Sequence, residues 1–318
     1  MANLSVITGF FLMGFSNTWE LQILHAILFL VIYLVALMGN LLIFTLISLN
    51  GKLHTPMYFF LKNLSFLDLC LVSITVPKSI ENSLSHSYSI SFLGCVSQLF
   101  LMILFATSEL VLLTTMSYDR YVAICQPLHY EVIMNRETCV KLAAVSWFTG
   151  GLFGILYSAS IFTLHFCGSK KIHQFFCDAP SLLRISCSES HLAVYVTMVL
   201  GISLAILCSI YITISYCHIF STVLNIPNTE DRSKAFSTCL PHLLVLMIFV
   251  TTGGISYLKP EHKSDSVLDL LLSMFYTVVP PTLNPVIYSL RNKDMKIALR
   301  KLMTRKYLSK ALLPKFIS

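Results

Sequence analysis

Seven long apolar segments interrupt this 318-residue chain, and between them they leave few charges with which to cover a water-soluble surface. They run near Leu24–Ser48, Met57–Ile80, Val96–Tyr121, Cys139–Phe162, Leu192–Leu224, Ala235–Leu258 and Val267–Leu290. Each reaches the about 20 helical residues that a bilayer crossing requires. The fifth is long enough to tilt or to extend beyond the bilayer. Helices are the expected form, because lipid cannot satisfy an open backbone. No stretch shows the alternation over about ten residues that a membrane barrel needs. Charged residues make up 12% of the chain, against about 25% in ordinary soluble domains. The fold expected is an all-α membrane protein, a seven-transmembrane helix bundle forming a single domain over residues 1–318.

Lysine and arginine orient that bundle. With the N-terminus outside, the cytoplasmic side holds Lys52, Lys62, Arg120, Arg136, Lys141, Arg232, Lys234 and nine basic residues of the tail. The outer side holds six: Lys78, Lys170, Lys171, Arg184, Lys259 and Lys263. The positive-inside rule therefore selects an extracellular segment over residues 1–23, a bundle over 24–290 and a cytoplasmic C-terminal part over 291–318. The net charge of +7 is mostly this asymmetry and calls for no nucleic-acid partner. The first twenty-odd residues lack a basic n-region and an evident cleavage site, so the first helix is expected to act as the insertion signal. Asn3-Leu4-Ser5 is a glycosylation sequon on the outer side. Asn63-Leu64-Ser65 matches the same triplet inside a span, out of reach of glycosylation. Lys293–Met303 sets Met295, Leu299, Leu302 and Met303 on one side and Lys296 and Arg300 on another, the pattern of a short amphipathic helix on anionic inner-leaflet lipid.

Charge inside the spans is costly, about 2.5–3.5 kcal/mol per group at mid-membrane on insertion scales, so each instance points to function. Asp68 and Glu109 are such acids. Glu109 lies eleven residues before Arg120, about three helical turns, so both share one helix face. With Asn284 they form a candidate buried polar cluster for water, a proton or a sodium ion; a purely structural cluster is the alternative. Asp119-Arg120 closes the third apolar segment where it meets water, as an interfacial pair. Of ten cysteines, Cys95, Cys167, Cys177 and Cys187 fall on the oxidising side, and four cysteines allow three pairings. A metal site from Cys167, His173 and Cys177 fits no common zinc spacing, so no metal is expected.

Particular strings then narrow the class. Met116-Ser117-Tyr118-Asp119-Arg120-Tyr121-Val122-Ala123-Ile124-Cys125 ends the third segment, followed by Pro127-Leu128-His129-Tyr130. Gly39-Asn40 sits in the first, Leu53-His54-Thr55-Pro56-Met57-Tyr58-Phe59-Phe60-Leu61 opens the second, and Leu64-Ser65-Phe66-Leu67-Asp68 lies within it. Trp147 lies in the fourth, Ser215-Tyr216-Cys217 in the fifth, and Lys234-Ala235-Phe236-Ser237-Thr238-Cys239 begins the sixth. Pro281-Thr282-Leu283-Asn284-Pro285-Val286-Ile287-Tyr288 and Arg291-Asn292-Lys293 close the seventh. In this order the strings resemble the odorant (olfactory) receptor family of rhodopsin-like, class A G-protein-coupled receptors.

The resemblance implies a plasma-membrane receptor, not an enzyme and without a cofactor, that binds a small volatile odorant and activates a stimulatory heterotrimeric G protein to raise cyclic AMP. It implies disulfides Cys95–Cys177 and Cys167–Cys187. It assigns Asp119, Arg120, Tyr121, Tyr216, Asn284, Pro285 and Tyr288 to activation and coupling. The outer half of the third helix carries no acid, which disfavours a cationic amine. Met102, Ile103, Ala106 and Thr107, with Leu200, Leu204, Thr252, Ile255, Tyr257, Met274 and Thr277 on facing helices, are the candidate ligand contacts for a small apolar molecule. The chain departs from the family at Pro241, often Ser, and at Thr282, often Met. It also has Phe249-Val250-Thr251 where the family has Phe-Tyr-Gly, so the usual sixth-helix tyrosine is missing. Within the family, a chemosensor of a non-olfactory tissue is the alternative. A transporter is disfavoured by the lack of internal repeats, and an enzyme by the lack of a nucleophile–base or metal-ligand string.

Overall fold

The computed structural model describes residues 9–12, 18–85, 88–167, 170–172, 174–258, 277–288 and 295–301, with the side chains of 85, 231, 234, 238 and 252–258 outside that description. In chain order the elements are β1 (Gly9–Leu12), α1 (Trp19–Leu49), α2 (Pro56–Ser85), β2 (Ser89–Ser91), α3 (Phe92–Cys125), α4 (Tyr130–Ile133), α5 (Arg136–Phe162), β3 (Lys171–Ile172), α6 (Ala179–Arg184), α7 (Leu192–Leu224) and α8 (Thr229–Leu258). Two further helical stretches follow, α9 (277–288) and α10 (295–301).

Helices α1, α2, α3, α5 and α7 are each long and apolar enough to cross a membrane. With α8 and α9 they make a seven-helix bundle. The helices outrun most of the spans drawn from hydropathy. The first begins at Trp19 rather than Leu24, the third runs from Phe92 to Cys125, and the sixth begins at Thr229 rather than Ala235. Polar end residues cause the difference: the Ser91 hydroxyl accepts from Gly94 N–H at 3.0 Å and the Asn135 side chain from Thr138 N–H at 2.9 Å, capping α3 and α5 beyond their apolar runs. At 1.5 Å rise, the 31 residues of α1 extend about 46 Å, past the hydrocarbon of a bilayer. Of the seventh span, residues 277–288 are described and helical. In α10, Met295 and Ala298 are buried while Lys296, Arg300 and Lys301 are exposed. The tail after residue 301 lies outside the described residues.

Packing is tightest where side chains are smallest. A Cβ on Gly150 of α5 meets the Ser108 hydroxyl and the Leu104 carbonyl of α3, and one on Gly154 meets the Phe100 ring at 3.0 Å. These two glycines let α3 and α5 approach backbone to backbone, the means by which membrane helices gain van der Waals contact. Between α1 and α9, Asn40 donates to the carbonyls of Ala36 at 3.0 Å and Pro281 at 2.8 Å. Long apolar side chains on the outside, among them Leu24, Met38, Val199 and Leu207, stand exposed and fit a lipid solvent.

A small sheet, ordered β2-β1-β3, covers the end of the bundle where α3 begins. β1 runs antiparallel to β2, with Phe10 opposite Ile90, and parallel to β3, with Leu12 opposite Ile172. Phe10 and Leu12 are each 1% exposed. Phe10 packs on the rings of Phe92 and Phe166. Disulfides join Cys95 to Cys177 and Cys167 to Cys187, with Cα–Cα distances of 5.5 and 5.7 Å, at this same end.

Candidate functional site

Three helices meet on one asparagine in the middle of the bundle. Asn284 of α9 donates to both oxygens of Asp68 of α2, at 3.2 and 3.0 Å, and to Glu109 Oε1 of α3 at 3.4 Å. Asp68 and Glu109 are 0% exposed and Asn284 2%. Glu109 Oε2 and Asn284 Oδ1 have no hydrogen-bond partner among the described residues. Two carboxyls sharing one donor repel each other if both ionise, and a proton or a monovalent cation held between them relieves that repulsion. The site joins α2, α3 and α9, so its charge state acts on three helices together. No cluster of three or more His, Cys, Asp or Glu fit for a metal occurs among the described residues.

At the far end of α3, Asp119 holds two partners. Arg120 donates to Asp119 Oδ2 from Nε at 3.1 Å and from a terminal nitrogen at 2.6 Å. The Tyr130 hydroxyl of α4 donates to Asp119 Oδ1 at 2.8 Å. Burial and the neighbouring Asp119 charge push the Tyr130 hydroxyl well above its ordinary range, so it remains a donor at physiological pH. Asp119 is thus satisfied on both oxygens, and the arginine is turned back onto its own helix.

A second lock crosses three helices nearby. His242 of α8 is 1% exposed, with Nδ1 2.6 Å from the Tyr216 hydroxyl of α7 and Nε2 3.0 Å from the Leu113 carbonyl of α3. A carbonyl only accepts, so Nε2 carries the proton and Nδ1 accepts from Tyr216. Neither His242 nor Tyr130 was assigned a role from the sequence. The available signal was a polar ring in the middle of an apolar helix, directly after Pro241, and it is weak for a single histidine.

The remaining sequence-derived residues are placed as follows. Tyr121 makes an edge contact with the His218 ring. Pro285 lies against Gly39, where an added Cβ meets the proline ring at 2.9 Å. Tyr288 is 1% exposed and its hydroxyl has no partner among the described residues. Tyr216 bonds His242 rather than Arg120. Among the candidate ligand contacts, Met102 joins the central core while the adjacent Ile103 packs on the cluster at the disulfide end. Ala106, Thr107 and Leu204 are half-buried, and Thr277 is 1% exposed. Leu200 is 49% exposed, as is Val196 one turn before it, and Leu207 two turns after it is 65% exposed, so Leu200 is not enclosed with the α3 residues. The side chains of Thr252, Ile255 and Tyr257, and all of Met274 and Asn3, lie outside the described residues.

A sequence model of the olfactory receptor family matches residues 29–306. The chain belongs to the olfactory receptor family. Human olfactory receptor 14A16 is 58% identical over 98% of this receptor and 100% of its own length. Human olfactory receptor 14A2 is 61% identical over 96% of this chain and 98% of its own. In fold, the receptor superposes on the crystal structure of squid rhodopsin with a TM-score of 0.73, at 16% identity, over 91% of this chain and 87% of that one. The chain is therefore a multi-pass membrane receptor with a rhodopsin-like bundle, and not an enzyme.

Proposed function

We propose that this receptor sits in the plasma membrane with its N-terminus outside. A small, mostly apolar odorant bound among the outer halves of the helices then activates a stimulatory heterotrimeric G protein and raises cyclic AMP. The observation that carries the reading is the double lock at one end of the bundle: Arg120 folded onto Asp119, and α8 tied through His242 to both α7 and α3. The excess of Lys and Arg in the loops and tail assigned to that side supports reading it as the cytoplasmic face.

Activation on this reading is a change of partners. Outward movement of α8 breaks the His242 bonds, frees the Tyr216 hydroxyl and lets Arg120 leave Asp119 for the incoming G protein. Tyr288 and Tyr216 support the arginine once released, and Pro285 lets the seventh helix bend. The Asp68–Glu109–Asn284 cluster holds a proton or sodium ion in the resting bundle and loses it on activation. Ligand contacts come from Met102, Ile103, Ala106, Thr107, Leu204 and Thr277, joined by Thr252, Ile255, Tyr257 and Met274. Asn3 carries a glycan on the outer face. A cyclic-AMP reporter assay against a broad odorant panel tests the scheme: an odorant response is expected in the wild type and is lost in Arg120→Ala at equal surface expression. A response that survives Arg120→Ala overturns the coupling mechanism.

A further inference from the structure

A cavity of about 130 Å³ lies where α1, α9 and α10 meet, and neither the acids of the polar cluster nor the two locks line it. Val35 and Gly39 of α1, Thr282 and Val286 of α9, and Met295 and Leu299 of α10 line it. Its one hydroxyl, that of Thr282, is already spent on the Val278 carbonyl at 2.7 Å. A water molecule needs two to four polar partners, and the side chains of this lining offer it only the acceptor side of that hydroxyl, so the fitting occupant is apolar. The volume is close to the about 150 Å³ of an apolar cavity able to hold a benzene-sized group. Gly39 forms part of its α1 wall. Lacking a side chain, it lets α1 close on Pro285, whose ring an added Cβ would meet at 2.9 Å.

The cavity's surroundings name the occupant. Val35 is 42% exposed and Val286 41%, so the mouth opens on the lipid-facing side of the bundle. The third wall, α10, buries Met295 and Ala298 and turns Lys296, Arg300 and Lys301 outward. An apolar recess beside an exposed row of cations fits one kind of molecule in a bilayer, an acyl chain carried on an anionic headgroup.

We propose that this cavity binds an acyl chain of an anionic phospholipid from the leaflet on which α10 lies, with the headgroup held by Lys296, Arg300 and Lys301. Only the naming of that leaflet as cytoplasmic depends on the orientation proposed above; the site itself does not depend on G-protein coupling. The chain lies beside Pro285, so an occupied site wedges α1 against the bend of the seventh helix.

The full-length receptor, purified in detergent, is titrated with palmitoyl-oleoyl phosphatidylserine or phosphatidylcholine and read by native mass spectrometry. A phosphatidylserine bearing a diazirine on its acyl chain maps the contact in parallel. Phosphatidylserine is expected to be retained about tenfold over phosphatidylcholine, from the charge of the basic row. The label is expected on peptides of α1, α9 and α10. Val286→Phe, which fills the recess, is expected to cut that labelling about tenfold, the loss of a buried segment of chain. Leu42→Phe, at another lining position on α1, serves in its place if Val286→Phe lowers the melting temperature. The triple variant Lys296→Gln, Arg300→Gln, Lys301→Gln is expected to bind the two lipids equally and to keep the acyl label. Label placed elsewhere on the receptor, equal retention of both lipids by the wild type, or displacement of the label by cholesterol in preference to phosphatidylserine each overturns the proposal.

Discussion

His242 does at the scale of one residue what the resting bundle needs: it joins α8 to α7 and α3 through two hydrogen bonds made by one ring. Replacing it with Phe preserves ring volume and leaves the Tyr216 hydroxyl and Leu113 carbonyl without it. A hydrogen bond of this kind is worth about 1 kcal/mol, roughly a fivefold shift in a two-state balance. His242→Phe is therefore expected to raise odorant-independent cyclic AMP several-fold at equal surface expression; an unchanged or lower basal signal sinks the locking role. Asp178 supplies a second residue-scale prediction. It precedes α6, is 6% exposed, and its Oδ1 has no partner among the described residues. Burial pushes its carboxyl from 3.8 up to about 6, outweighing the pull of Ser181 and Arg184. Between those values the unfolded loop has released its proton while the folded loop keeps it, so stability falls as pH rises through the window and stays low above it. Asp178→Asn removes that slope and stabilises the loop by about 1–3 kcal/mol at neutral pH. Hydrogen exchange of peptides spanning 174–187, corrected for intrinsic rates, measures the effect, and a wild-type profile without that slope contradicts it.

Elements were legible in the sequence in proportion to how local their causes are. The seven apolar runs mark the bundle because lipid demands long uninterrupted helices, and Leu192–Leu224 was read to the residue. The ends of α3 and α8 were not, since capping by Ser91 and the polar first turns at Thr229 carry no apolar signal. The sheet was invisible: strands of four, three and two residues have no stability alone, and they form only because Phe10 and Leu12 find a surface made by β2, β3 and the Cys95–Cys177 loop. The pairing of the cysteines came from family resemblance, because spacing leaves three connectivities open. Adjacent glycines make the packing of α5 testable. Gly150 sits on α3, whereas a Cβ on Gly151 meets nothing within 4 Å. Gly150→Leu is expected to cost more than the about 1–3 kcal/mol of ordinary overpacking and to abolish surface expression. Gly151→Leu is expected to express like wild type. Equal expression of the two places the glycine seam elsewhere.

Over the whole molecule, rigidity is distributed unevenly, and that distribution decides which part can move. Among the described residues, α3 packs most extensively on α5, and α1 on α2, whereas α7 and α8 meet far less. Two disulfides and the three-stranded sheet clamp the end where α3 begins. At the other end α8 is held across the bundle by His242 and by Cys239 and its neighbours in a small apolar cluster with Ile212, Tyr216 and Ile219. An element anchored by a few bonds opens locally at lower free energy than one interlocked along its length. Amides of α8 are therefore expected to exchange faster than those of α3 and α5 in the unliganded receptor, by about tenfold or more for each 1.4 kcal/mol of difference in opening free energy. His242→Phe is expected to widen the gap by speeding α8 alone. Hydrogen-exchange mass spectrometry of the receptor in nanodiscs reads both quantities. If α8 were as protected as α3, or if His242→Phe sped all helices equally, the bundle would open as one body, and a switch built on release of the sixth helix would have no mechanical basis here.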